Sequence, residues 1–211
     1  MTKVELTNDP MLDVNDAVQA MRTCYSSNDL SDGGEKDLNL LKKAIRMRHH
    51  TPLEFITLTF SVEDLTRLVL QELARHRTQV LNVQSTRYTL KKMKEDVREN
   101  LSKYFYIDLP HYEEYLFMIF DFIEKHNLWD LPNDKLKAYM PETLYCKLYM
   151  KVNLRNYFNF YKLRSSERSH FLIQELANET YNVLPPYIKE LVDLEMEVSN
   201  EKKWVINRDG S

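Results

Sequence analysis

Residues 71–90, QELARHRTQVLNVQSTRYTL, set Arg75, His76, Arg77 and Arg87 among Asn82, Gln84, Ser85 and Tyr88, with no acid after Glu72. A guanidinium fork suits phosphate. Asn, Gln and Ser offer hydrogen bonds without charge, which is what a base edge or a sugar hydroxyl requires. Alternating the two kinds of group describes a nucleotide site. Arg75 and Arg77 point about 200° apart on a helix but to one side of an extended chain. A helix C-terminus favours arginine through its dipole alone. That accounts for Arg-His-Arg but leaves NVQSTRY unexplained.

The surrounding charge agrees. The 211-residue chain has a formal net charge of −3. Residues 73–94 hold six Lys/Arg and residues 143–166 hold five, both without an acid, leaving 18 basic residues against all 32 acidic ones elsewhere. Two local positive patches on an acidic protein suit a small phosphorylated ligand better than a nucleic acid, which the remaining surface repels. Gly33, Gly34 and Gly210 are the only glycines, so there is no glycine-rich phosphate loop and any nucleotide must be gripped by side chains and helix ends.

Other chemistries find little support. Cys24 and Cys146 are far apart and unpatterned, which argues against a disulfide or zinc site and leaves a thiol nucleophile open. His49 and His50 are adjacent and lack the spacing of a helical ligand pair, so no metal is expected. Ser85 has no G-x-S-x-G elbow and no orienting acid near His76. With 43% apolar and 29% charged residues, the chain reads as one globular domain over 1–211. Its apolar runs, such as LFMIF (116–120), are too short to cross a bilayer. MTKVELTNDP has no basic-then-apolar leader, so the cytoplasm is expected.

The expected fold class is α+β, a small antiparallel or mixed sheet with surrounding helices. KVELT (3–7) reads as an edge strand, and Asp9-Pro10 opens a helix to about Tyr25. Lys36–Arg48 is a second helix, broken by HHTPLE (49–54) at Pro52. FITLTFSV (55–62) alternates as a strand. Leu65–Ala74 is helical and runs into Arg-His-Arg. Helices are further expected over Tyr112–Lys125, Thr143–Tyr161 and Glu167–Val183, with a last one after Pro185-Pro186. On a long helix, Lys147, Lys151, Arg155 and Asn159 form one ridge. Arg155 and Arg164, nine residues apart, face opposite ways, so if both bind ligands either the helix breaks or two pockets share it, as in an oligomer with sites between subunits.

RHRTQVLNVQS is Arg-His-Arg, seven residues, then Ser, and it continues Thr86-Arg87-Tyr88. In this it resembles the signature of the flavin-dependent thymidylate synthases. HHTPLE, Lys137–Pro141 and NLRNYFNF (153–160) with KLR (162–164) resemble further segments of that family, in order, over roughly 10–200. QELARHR and YTL resemble the epsilon-proteobacterial branch. The resemblance implies a homotetramer with intersubunit active sites and reductive methylation of dUMP to dTMP. It implies FAD bound without a Rossmann fold, with NADPH and 5,10-methylenetetrahydrofolate as co-substrates and no cysteine nucleophile. By position, His49, Thr51, Arg75, His76, Arg77, Asn153, Arg155 and Asn159 would hold FAD. Glu72, Val83, Gln84, Ser85, Arg87 and Lys137 would hold dUMP, Ser85 and Arg87 at its phosphate. Arg164 would be catalytic, lying against the uracil and stabilising negative charge there.

Three positions depart from the family pattern. Val83 stands where Glu is usual, so the role of that side chain is either dispensable or supplied elsewhere, in part by backbone. Glu72 replaces a common Gln and suits a sugar hydroxyl better than a phosphate. Lys137 replaces a common Arg, giving a point charge for a fork. A non-catalytic nucleotide- or flavin-binding protein on the same scaffold is the alternative these departures raise. A small nucleic-acid-binding module is the other.

Overall fold

The computed structural model describes the backbone of residues 2–209 and the side chains of residues 2–200. In chain order it comprises β1 (Lys3–Leu6), α1 (Met11–Thr23), α2 (Glu35–Arg46), β2 (Thr57–Thr66), α3 (Arg67–Leu73), β3 (Val80–Val83) and α4 (Thr86–Thr89). There follow α5 (Leu101–Tyr104), α6 (Tyr112–Lys125), α7 (Asn133–Leu136), β4 (Tyr145–Asn153), α8 (Leu154–Arg164), α9 (Phe171–Asn182) and α10 (Pro186–Asp209). The α+β expectation holds. A four-stranded antiparallel sheet in the order β1-β2-β4-β3 carries the helices, with β1 on the edge. On β2, Leu58, Phe60 and Val62 are buried and the intervening Thr57, Thr59 and Ser61 half-buried, the period of two that FITLTFSV shows. The alternation slips at Asp64, whose φ is +55°.

One expectation is wrong. Thr143–Tyr161 is not a long helix: β4 occupies Tyr145–Asn153 and α8 starts only at Leu154. Cys146, Leu148, Met150 and Val152 are buried while Lys147, Tyr149 and Lys151 face out, so the segment has period two and the four-residue ridge does not exist. Asn153 marks the joint. Its side chain accepts from the Asn156 N–H at 2.9 Å, capping α8. Asn153→Ala is expected to cost about 1 kcal/mol of stability, and Asn153→Asp to restore it. Urea midpoints that do not separate the two variants would rule out the cap. Smaller shifts occur elsewhere: α9 begins at Phe171, four residues later than the sequence suggests, and β3 and α4 were not expected.

The chain divides into two compact units. The first comprises Met1–Lys3, Val62–Arg75 and Leu81–Tyr149. Its core forms around α6, where Leu116, Phe120 and Ile123 make a buried helical stripe. Phe120 stacks on Trp129 with ring planes 4° apart, and Phe105 meets it edge-on at 5.9 Å. The second unit comprises Val4–Ser61, His76–Val80 and Met150–Ser211. There α2 packs on α1 and α10, and α8 on α9. Tyr157 of α8 is fully buried against Phe60, its hydroxyl 3.2 Å from that of Thr180. A buried ion pair, Arg22 to Asp37 at 2.6 Å, fastens the loop before α2, because Asp37 also accepts from Ser31 and from the Gly33 N–H. Burial opposes the Asp37 charge most strongly, but Ser31, Arg22 and Gly33 together hold the carboxyl below its usual range.

Candidate functional site

In the first unit the expected substrate residues cluster on β3 and the short helices after it. Gln84 is fixed by three bonds. Its N–H donates to the Lys147 carbonyl at 2.8 Å, its Oε1 accepts from the Lys147 N–H at 3.3 Å, and its carbonyl accepts from Arg67 at 2.8 Å. Ser85 then caps α4, accepting from the Arg87 N–H, and stays exposed. Arg87 is exposed and pairs with Asp134 of α7 at 3.2 Å, while Asn133 donates to the Arg87 carbonyl at 2.7 Å. These two contacts dock α7 on α4. Lys137, just after α7, is exposed. Val83 is half-buried in β3, and Glu72 is half-buried in α3. The helix α3 stops at Leu73, before Arg-His-Arg, and Arg75 lies in the turn that follows, its N–H on the Glu72 carbonyl. Asn133 and Asp134 escaped sequence reading because LPNDKLK has the composition of a plain loop.

The second unit holds the rest. Arg164 of α8 donates from Nε to His76 Nε2 at 2.8 Å. That bond requires Nε2 without a proton, which puts the hydrogen of a neutral ring on Nδ1. Phe160 meets the His76 ring edge-on at 5.3 Å. The two residues are 88 apart in sequence, and no pattern in the chain reveals the contact. Arg77 is exposed.

Two of the cavities in this unit are lined by expected site residues. One, of about 530 Å³, is lined by Met21, Tyr25, Met47, His49, Thr51 and Phe55, among others. The other, about 300 Å³, is lined by His50, Arg155, Asn156, Asn159, Lys162 and Glu195, together with Phe158. The structure therefore groups His49 with Thr51 and, separately, Arg155 with Asn159. The adjacent histidines line different cavities. Arg155 pairs with Glu54, a partner the sequence did not suggest. Being nine residues apart on one helix, Arg155 and Arg164 face opposite ways as expected.

The two thiols are free, Cys24 exposed and Cys146 buried. Burial pushes the Cys146 pKa up, which disfavours a thiolate nucleophile there. Among the described residues no group of three or more His, Cys, Asp or Glu could hold a metal ion, and no helix is long and apolar enough to cross a membrane.

Against known proteins, the family model described as thymidylate synthase complementing protein matches residues 8–186. The flavin-dependent thymidylate synthase of Wolinella succinogenes is 34% identical over 187 residues, covering 84% of this chain and 92% of that one. The enzyme of the same name from Helicobacter pylori is also 34% identical over 187 residues, covering 80% and 88%. A crystal structure of thymidylate synthase X from Helicobacter pylori with FAD and dUMP superposes with a TM-score of 0.80 at 30% identity, covering 92% of this chain and 99% of that one.

Proposed function

We propose, because this chain belongs to the family of flavin-dependent thymidylate synthases, that it converts dUMP to dTMP by reductive methylation. The reaction would use FAD, NADPH and 5,10-methylenetetrahydrofolate, in a homotetramer whose active sites are built from several chains. The observation that carries the mechanism is the Arg164–His76 hydrogen bond. A guanidinium already fixed by a neutral imidazole stabilises negative charge on a uracil without having to reorganise first.

The donor set fits FAD. The polar cavity offers Arg155, Lys162, Asn156 and Asn159 for phosphate oxygens and sugar hydroxyls. The larger cavity offers Met47, Phe55, His49 and Thr51 for an aromatic ring and its polar edge. Arg75, His76, Arg77 and Asn153 complete the proposed cofactor contacts. When bound, FAD supplies the reducing equivalents that turn the transferred carbon into a methyl group. On the substrate side, Arg87, Ser85 and Lys137 bind the phosphate, and Glu72 and Gln84 take hydrogen bonds. Val83 contributes only its backbone. The opposed faces of Arg155 and Arg164 favour an assembly in which one α8 helix serves two sites. We further propose that 1–211 acts as one catalytic domain in the cytoplasm.

The test is anaerobic mixing of purified protein, loaded with FAD, with NADPH in the presence and absence of dUMP. The visible flavin band is expected to bleach faster with dUMP, and dTMP to form once methylenetetrahydrofolate is added. Flavin that binds but neither bleaches in response to dUMP nor yields dTMP would instead identify a non-catalytic binding protein.

A further inference from the structure

The helix α2 ends in a turn that usually contains glycine. Arg48 N–H donates to the Ile45 carbonyl at 3.0 Å and His49 N–H to the Ala44 carbonyl at 2.9 Å, the paired bonds of a Schellman motif. The first residue past the cap must take left-handed φ, and Arg48 does so at +60°. Glycine adopts that conformation freely, whereas arginine does so only where something else holds it. The holding contact comes from α10, 147 residues away. Arg48 Nη1 donates to Glu195 Oε1 at 2.6 Å, and Ser199, one turn along α10, donates to the same oxygen at 2.8 Å. The other Glu195 oxygen lies 3.3 Å from His50 Nε2, a charge contact that is not aligned as a hydrogen bond. Glu195 is only 6% exposed. Burial works hardest against its charge, yet His50, Ser199 and Arg48 together keep the carboxyl below its usual range.

One carboxylate thus touches the residues on both sides of His49, hydrogen-bonding Arg48 and lying beside His50. Arg48 sets the turn and His50 is held toward the polar cavity, which leaves His49 and Thr51 lining the larger one. We infer that Glu195 is a positioning residue for the cofactor: it acts through Arg48 and His50 to fix the direction of His49 and Thr51. The inference rests on the proposed assignment of His49 and Thr51 to FAD. A glycine at position 48 would make the turn without help, so an arginine there is explained by its hold on α10 rather than by the backbone.

Three variants of the full-length protein test this: Glu195→Ala, Glu195→Gln and Arg48→Ala. The readouts are FAD dissociation constant, the visible circular dichroism of bound flavin, and dUMP affinity. Glu195→Ala is expected to weaken FAD about tenfold and alter the dichroism. Glu195→Gln keeps the side chain's length and an oxygen acceptor for Arg48 and Ser199, and should restore binding to within about threefold of wild type. Arg48→Ala removes the hold and leaves a residue with a Cβ at the left-handed position, so it too should weaken FAD about tenfold; it carries the test if Glu195→Ala does not fold. In all three, dUMP affinity should stay unchanged, which a general loss of structure would not allow. Wild-type FAD binding together with normal binding by Arg48→Ala and Glu195→Ala overturns the inference alone. A wild-type protein that binds no FAD overturns the cofactor assignment, and this inference with it.

Discussion

Arg164→Ala is expected to lower kcat for dTMP formation by about 10²–10³, the usual cost of removing one preorganised donor from a developing anion, while the protein remains loaded with FAD. The proposed cofactor contacts Arg155 and Asn159 lie elsewhere on α8 and line a cavity that does not include Arg164, so occupancy should survive. His76 loses its donor in the variant but keeps its edge contact with Phe160. Arg164→Lys should recover only part of the loss, because an ammonium cannot bond His76 with one nitrogen and present others in the same plane. The measurement is steady-state turnover beside the flavin absorbance of the purified variant. Near-normal turnover in Arg164→Ala would remove this residue from the chemistry.

Arg87→Ala should weaken dUMP by about 1.5–3 kcal/mol, the range for a lost charge-assisted hydrogen bond, with kcat at saturation little changed. The structure sets the effect toward the lower end. Arg87 already pairs with Asp134, and the two side chains are 65% and 51% exposed. A phosphate must compete with that carboxylate, although an exposed pair is worth little and is readily exchanged. Asp134→Asn should therefore tighten dUMP a few-fold. Titration calorimetry on both variants decides the matter: unchanged affinity in Arg87→Ala eliminates the phosphate contact, and weaker binding in Asp134→Asn eliminates the competition.

Strong periodicity made part of the fold legible. Tyr112–Lys125 was bounded correctly because apolar residues recur at helical spacing over a long run. β4 was not, because its Lys147 and Lys151 are four apart, a spacing that fits one helix face and one strand face equally well. The decisive signal was the alternation of Cys146, Leu148, Met150 and Val152. β3 is only four residues long and carries too little pattern to stand out. At the site, residue types announced nucleotide chemistry, and the spacing of Arg-His-Arg to Ser85 announced the family. The pairings remained hidden. His76 with Arg164 and Glu54 with Arg155 join residues 88 and 101 apart, and such contacts follow from tertiary packing that no local window encodes.

The neighbours His49 and His50 serve separate chambers. Adding or deleting one amino acid between Arg48 and Pro52 would move both imidazoles one place along the turn and carry at least one of them out of its chamber, even with every side-chain type retained. The length of this short link is consequently as much a part of its chemistry as its composition.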